Sequence, residues 1–115
     1  MTEQAPLDDG GADSVLVALA DPTRRRLLDL VGSLGEATAT TLAAQVSVTR
    51  QAVVKHLTVL DQAGLVTGRR VGREVRYSVR PETLDATASR LAALASDWDT
   101  RLARLKEQAE APEGS

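Results

Sequence analysis

Apolar residues recur three and four positions apart over most of the chain, a pattern typical of amphipathic helices that pack on a common core. A first helix is expected from about residue 13 to residue 20. A second is expected to follow at once, because Asp21 can cap free N–H groups and Pro22 fits a first helical position. The preceding residues 1–11 are acidic and glycine-rich and are expected to form a disordered arm.

Two shorter helices joined by a tight link are expected next. The first covers about residues 40–45, and the second covers about residues 50–63 and begins after Thr49 as its cap. Gly64 is well placed to end the second helix in a left-handed conformation. A pair of helices with these proportions is typical of a helix-turn-helix. The inward-facing residues of the second helix are Val53, Leu57 and Leu60.

The apolar positions alternate after Gly64, with the period of two that is typical of β-strands. Strands are expected over residues 65–70 and 74–79, joined by a turn at Val71-Gly72-Arg73. The second strand carries valine and tyrosine on one face and charged or polar residues on the other, so one face is expected to be buried. A hairpin in this place is the wing of a winged helix-turn-helix.

Pro81 is expected to open a final helix that runs to about residue 109. A helix of about 28 residues spans on the order of 42 Å, and one domain of this size cannot bury its whole apolar stripe. We therefore expect a homodimer in which the first and last helices of two copies pack together. Trp98 has a second interpretation, as the wall of an effector pocket between the copies. The predicted dimer interface consists of Val15, Leu16, Leu19, Leu91, Leu94, Trp98, Leu102 and Leu105.

These elements predict one domain that is mainly α with a small β-hairpin wing (α+β): a winged helix-turn-helix with long N- and C-terminal dimerisation helices. The domain is expected to cover residues 12–109, followed by a flexible tail over residues 110–115. Hydrophobic residues make up 43% of the chain, but Trp98 and Tyr77 are its only aromatic residues. The core is therefore expected to be aliphatic.

The formal net charge of −2 is unusual for a protein that binds DNA, but the charge is unevenly distributed. Residues 1–21 carry five acids and no base, whereas residues 50–80 carry seven bases against two acids, a local charge of +5. From residue 81 onward, four bases face seven acids, a local charge of −3. Phosphate binding requires a positively charged local surface and not a positive net charge of the whole chain, so the middle of the chain is the expected DNA surface.

The start of the helix over residues 50–63 has the composition of a DNA-recognition helix. Arg50 suits a bidentate contact with guanine, Gln51 a contact with adenine and Lys55 a phosphate. The alternative is that they are solvated positions of an ordinary helix. Arg69 and Arg70 are adjacent in the first strand of the wing and lie on opposite faces of it, so only one of them can face DNA. The predicted DNA-binding residues are Thr49, Arg50, Gln51, Lys55, His56, Arg69, Arg70 and Arg73.

Four other arginines have two interpretations each. Arg24, Arg25 and Arg26 can approach the DNA backbone or form structural ion pairs with Asp29 or the acidic arm. Arg76 can face DNA or pair with an acid.

The residue types present exclude several classes of protein. The chain has no cysteine, which excludes disulfides, thiolate metal sites and thiol redox chemistry. His56 is the only histidine, too few for a tetrahedral zinc site or for a nucleophile–base pair. No apolar run approaches the roughly 20 residues that cross a bilayer, and the N-terminal residues lack the basic and apolar stretches expected of a secretory signal. We expect a cytoplasmic protein that is not an enzyme, binds no cofactor or metal and does not enter a membrane.

Three segments, residues 19–31, 42–66 and 72–79, resemble the ArsR/SmtB family of winged-helix repressors. The pairing of DPTR with HLTVLDQAGLV is the specific part, and the resemblance covers most of residues 13–100. It implies a dimer whose repression is relieved by an effector. The family's metal-binding cysteines and histidines have no counterpart in TLAAQV or PETLDATASR, so the chain resembles the branch that does not sense metals. The family's DNA-contacting positions correspond to Thr49, Arg50, Gln51, Lys55, His56 and Arg73.

The sequence therefore predicts a sequence-specific transcriptional regulator, a repressor, that binds an inverted-repeat operator in double-stranded DNA as a homodimer. An unidentified small-molecule effector is expected as a further partner. The alternative is a winged-helix protein-interaction module that does not bind DNA, which the acidic arm and the negative net charge favour slightly.

Overall fold

The computed structural model describes the backbone of residues 4–110 and the side chains of residues 11–110. Within this part the expected helices and strands follow one another in the expected order, with one additional short strand. The mainly helical, winged helix-turn-helix fold is confirmed. The elements are α1 (Gln4–Leu19), α2 (Pro22–Leu34), β1 (Ala37–Thr38), α3 (Ala39–Gln45), α4 (Arg50–Gln62), β2 (Val66–Val71), β3 (Glu74–Val79) and α5 (Pro81–Glu110).

The predicted cap residues begin the helices that position the motif. The Asp21 carboxylate accepts hydrogen bonds from the backbone N–H groups of Thr23 at 2.8 Å and Arg24 at 3.2 Å. The bond from the Arg24 N–H is the main cause that holds the pKa of Asp21 below its ordinary value. Thr49 caps α4 by accepting a hydrogen bond from the N–H of Ala52 at 3.1 Å. These bonds satisfy N–H groups that a first helical turn leaves without an intrahelical partner.

The predicted glycine ends α4. Gly64 has a φ of +79°, in the left-handed region. The N–H of Leu65 donates to the carbonyl of Leu60 at 2.9 Å, which closes the helix end and turns the fully buried Leu65 side chain into the core. The direction of the chain into the wing is therefore fixed by this turn.

Gly64→Ala is expected to lower the free energy of unfolding by about 1–2 kcal/mol, because the left-handed backbone conformation brings a Cβ too close to the following carbonyl oxygen. The added Cβ would also lie 3.3 Å from Thr83 Oγ1. Gly32→Ala inside α2 is the control, since its Cβ would meet only Val79 at 3.7 Å and alanine is favoured in a helix by roughly 0.5–1 kcal/mol. Thermal unfolding should shift in opposite directions for the two variants. Equal shifts would contradict this account.

The three strands form one antiparallel sheet in the order β1-β3-β2. The predicted hairpin of β2 and β3 pairs Arg69 with Arg76 and Arg70 with Val75. The strand β1 was not expected, because two residues show no readable period. Tyr77 and Val79 of the expected apolar face pack against the core, but every residue of β3 after the first is half-buried, so neither face is fully buried or fully exposed. The physical reason is that β3 is the central strand and has neighbours at both edges.

The core is aliphatic, as expected, and it lies between the first four helices and the sheet. Val15 is predicted for the dimer interface, but its 1% exposure places it inside a single copy of the chain. That assignment is corrected, because a side chain enclosed by its own protomer cannot contact another. The largest fully buried side chains are Leu27, Leu42, Leu57, Leu60, Leu65, Val15, Val31, Val53 and Val66.

Helix α1 begins at Gln4 rather than near residue 13, so residues 4–11 of the expected disordered arm are helical. Gly10 and Gly11 each cost about 1 kcal/mol relative to alanine inside a helix, which is why the sequence favours an end there. The helix nevertheless extends through them toward Gln4, because the following turns are already fixed by packing and each residue added to an existing helix gains one backbone hydrogen bond. Residues 1–3 of the arm and residues 111–115 of the predicted tail lie outside the described residues.

Helix α5 leaves most of its apolar stripe uncovered. Leu84 packs against the core and Thr87 is buried, but the helix is exposed beyond them. No helix in the described part of the chain is long and apolar enough to cross a membrane. Leu19 of α1 is half-buried against the core. The other predicted interface residues are 43–56% exposed and are Leu16, Leu91, Leu94, Trp98, Leu102 and Leu105.

Candidate nucleic-acid interface

Helix α4 presents a polar face to solvent because its opposite face is fixed in the core. Val53, in the first turns, is fully buried. Gln51 and Lys55, four residues apart, share the opposite side of the helix and are exposed. Arg50 and the cap residue Thr49 are exposed at the start of the same helix. The structure therefore brings four of the predicted DNA contacts together on the first two turns of α4.

Arg50 is oriented by a residue of the preceding helix. Its Nε donates a hydrogen bond to Thr40 Oγ1 of α3 at 3.2 Å. The guanidinium has further N–H groups that this bond does not use, so it retains the donors for a bidentate contact with a base. Thr40 is a positioning residue that the sequence did not reveal, because the contact depends on how α3 packs on α4.

His56 lies apart from the exposed face of α4. Its ring is half-buried, and its Nδ1 lies 3.4 Å from Arg24 Nη1 at the start of α2. The ring therefore faces another helix of the same chain. The predicted DNA contact of His56 gains no support from this position.

The wing turns sharply at Gly72, whose φ of +62° is left-handed. Arg73 follows at the tip and is exposed, and Arg70 is exposed on β2. Neither arginine has a hydrogen bond or ion pair to another residue in the described part of the chain. Both guanidinium groups are therefore available to an anionic ligand such as a phosphate.

Two other wing arginines share the opposite face of the hairpin and have acidic partners. Arg69 Nη2 lies 2.7 Å from Glu36 Oε2, and Arg76 Nε lies 3.3 Å from Glu74 Oε1. Glu36 follows α2, so its ion pair ties the wing to the end of that helix. Exposed pairs of this kind are worth about 0–1 kcal/mol, so neither arginine is locked in place. Of the two adjacent wing arginines, Arg70 is the one without a partner.

The three arginines at the start of α2 bind backbone carbonyls of neighbouring helices. The last carbonyls of a helix have no intrahelical N–H, and guanidinium groups satisfy some of them here. These bonds are structural, but they are not the ion pairs with Asp29 that were expected. In the described part of the chain, the ion pair of these arginines joins Arg24 to Asp21, and each of the three also binds a helix-end carbonyl. The bonds run from Arg24 Nε to Ala18 O at 2.7 Å, from Arg25 Nη1 to Leu19 O at 2.7 Å and from Arg26 Nη2 to Gln45 O at 3.5 Å.

Comparison with known proteins identifies the family and the fold. A family model described as a helix-turn-helix domain matches residues 19–69. The transcriptional repressor SdpR of Bacillus subtilis is 33% identical over 63% of this chain and 79% of its own length. The arsenic resistance transcriptional regulator ArsR1 of Pseudomonas putida is 30% identical over 85% of this chain and 82% of its own length.

Solved structures agree with this match. An ArsR-like transcriptional regulator from Rhodococcus sp. RHA1 has a TM-score of 0.80 and 40% identity, covering 90% of this chain and 96% of that one. The homodimeric winged helix-turn-helix DNA-binding domain of a Mycobacterium bovis protein has a TM-score of 0.60 and 26% identity, covering 84% and 91%. The helix-turn-helix fold and these relatives identify a DNA-binding transcriptional regulator and not an enzyme. The chain belongs to the ArsR family of such regulators.

Proposed function

We propose that the protein represses transcription by binding an inverted-repeat operator in double-stranded DNA as a homodimer. The observation that carries the proposal is the exposed polar face of α4, together with two exposed wing arginines, Arg70 and Arg73, that have no partner in the described chain. In a helix-turn-helix, the first turns of the second helix enter the major groove. Because its partner is the genome, we place the protein in the cytoplasm.

The exposed residues of α4 and the wing have different roles in this proposal. Arg50 and Gln51 read base edges, because their paired donors and acceptors match guanine and adenine. Lys55 and Arg73 supply attraction to phosphates, which contributes affinity but no sequence information. Thr49 adds a hydroxyl at the helix start, where phosphates also bind.

The homodimer is proposed from the exposed stripe of α5. Leu94 and Trp98 lie in its middle and are 52% and 48% exposed in a single chain. A continuous apolar patch of this kind on a small protein is typical of an interface. The solved Mycobacterium bovis neighbour is a homodimer. A twofold axis would place two recognition helices about one DNA turn apart, roughly 34–36 Å.

We further propose that an organic molecule, rather than a metal ion, is the effector. The chain has no cysteine and one histidine, so the usual ligands of a transition metal are missing. An open groove of about 770 Å³, within the size range of small-molecule sites, lies between α1, α5 and the end of α4, and Glu82 and Arg90 are its charged lining residues. Most of the side chains around it are small, among them Ala12, Ala63, Ala86, Thr87 and Ala93.

Selection of bound duplexes from a random DNA pool tests the proposal. We expect an inverted-repeat consensus whose half-sites are about 10 base pairs apart from centre to centre, with affinity that falls as salt rises. A consensus without symmetry would contradict the dimeric mode of binding. Recovery of no consensus by the folded protein, together with no retention on heparin at low salt, would favour the protein-interaction module instead.

A further inference from the structure

The guanidinium of Arg24, near the start of α2, contacts two other helices, α1 and α4. Its Nε donates to the carbonyl of Ala18 at 2.7 Å and its Nη2 to the carbonyl of Val17 at 3.4 Å, both in the last turn of α1. Its Nη1 lies 3.4 Å from His56 Nδ1 on α4 and 3.8 Å from the carboxylate of Asp21, the cap of its own helix. The side chain is only 17% exposed.

The donors and acceptors in this cluster are matched. Arginine has only donors, so His56 must accept with Nδ1, which leaves the ring proton on Nε2. The carbonyls of Val17 and Ala18 lie at a helix end, where they lack intrahelical N–H partners. The carboxylate of Asp21 offsets the positive charge of the guanidinium. Arg24 is therefore occupied by its own chain and is poorly placed to bind a phosphate.

We propose that Arg24 is a positioning residue for DNA recognition, because its guanidinium fixes the recognition helix α4 to the end of α1 through His56. The proposal rests on the sequence-specific DNA binding proposed above. His56 follows Lys55 directly, so a bond that holds the His56 ring also fixes the rotation of the helix that carries Gln51 and Lys55.

Helix α1, which Arg24 joins to α4, also carries part of the predicted dimer interface. The last turns of α1 carry Leu16 and Val17, which are 45% and 65% exposed. A guanidinium that binds α1 and α4 together sets the distance between the dimer surface and the base-reading face. Base contacts require placement to about 0.5 Å, whereas phosphate attraction tolerates larger displacements. Loss of Arg24 should therefore reduce specificity more than general affinity for DNA.

The test compares Arg24→Gln with Arg25→Gln. Each variant removes one positive charge and the bonds to α1 carbonyls, two from Arg24 and one from Arg25, but Arg25 has no hydrogen bond to α4 among the described residues. The measurements are the dissociation constants for the selected operator and for a random duplex over a range of salt. Arg24→Gln should weaken operator binding about tenfold, the size of effect expected when two side chains in contact with each other, here Arg24 and His56, are uncoupled. It should leave the binding of random duplexes and the salt slope unchanged. Arg25→Gln should leave the ratio of the two constants unchanged.

His56→Ala provides a second route to the same result. It should also lower the operator-to-random ratio, and the double variant Arg24→Gln/His56→Ala should lose no more than Arg24→Gln alone. A salt slope that falls by about one in Arg24→Gln would overturn the proposal, because it would make Arg24 a phosphate contact. An unchanged ratio in both single variants would also overturn it.

A measurement without DNA separates this inference from the proposed function. Amide hydrogen exchange in α4 of the free protein should be faster in Arg24→Gln than in the wild type, and unchanged in Arg25→Gln. If α4 exchanges at the same rate in all three proteins, the link does not exist. If exchange changes but the wild type selects no operator, the link stands and the proposed DNA recognition fails.

Discussion

Leu94→Glu should convert the protein from dimer to monomer at micromolar concentration. Leu94 is 52% exposed and lies in the middle of the α5 stripe, between Leu91 and Trp98. In the proposed dimer the new carboxylate would be buried against a second apolar helix without a partner, a situation that costs several kcal/mol. A loss of that size raises the dimer dissociation constant at least a hundredfold. Analytical ultracentrifugation measures it directly.

The same variant should lose most of its affinity for the operator. A monomer binds one half-site, and the gain from linking two half-site contacts is on the order of 10²–10⁴. Ser96→Glu adds the same charge on the opposite side of α5, where Ser96 is exposed, and should remain dimeric. Because Trp98 is the sole tryptophan, its fluorescence should shift to shorter wavelength on dimerisation in the wild type. A dimeric Leu94→Glu protein would rule out this interface.

Arg73→Ala and Gln51→Ala should separate attraction to phosphates from reading of bases. Arg73 stands at the wing tip without a partner in the described chain, so its removal should weaken binding to every duplex and lower the salt slope by about one. Gln51 lies on the exposed face of α4, so its removal should relax preference at one base pair of each half-site, at a cost of about 1–3 kcal/mol.

Arg76→Ala is the matched control for Arg73→Ala. Both are wing arginines, but Arg76 is paired with Glu74 at 3.3 Å, so its loss should change the salt slope less. Competition binding against a library of single-base operator variants gives the base preference of each protein. A Gln51→Ala protein with the wild-type preference would remove Gln51 from the base-reading set, and equal slopes for Arg73→Ala and the wild type would remove Arg73 from the phosphate contacts.

The parts of the fold that could be predicted are those fixed by neighbours in the chain. Asp21 and Thr49 cap the helices they precede, and Gly64 ends α4, because each acts on backbone groups within a few residues. The wing was predicted from its period of two and its glycine turn. The four exposed residues at the start of α4 follow from the same local rule, since the buried positions of a helix define its opposite face.

The burial of residues in α1 could not be predicted from the local sequence pattern. Val15 and Leu16 are both apolar and adjacent, and both are assigned to the interface by their spacing. Packing encloses Val15 and leaves Leu16 45% exposed. The periodicity of a helix identifies an apolar face, but a helix between its own core and a partner divides that face between the two.

By itself, the sequence determined the order of the elements, the helix caps, the aliphatic core, the basic middle third and the absence of cysteine. Only the tertiary structure decided which arginines are occupied and which are available. The Arg24–His56 contact and the Arg69–Glu36 ion pair each join residues more than thirty positions apart, as does the pairing of β1 with β3. No local pattern encodes such pairs, because they arise only when the packing of whole helices and strands brings distant side chains within bonding distance.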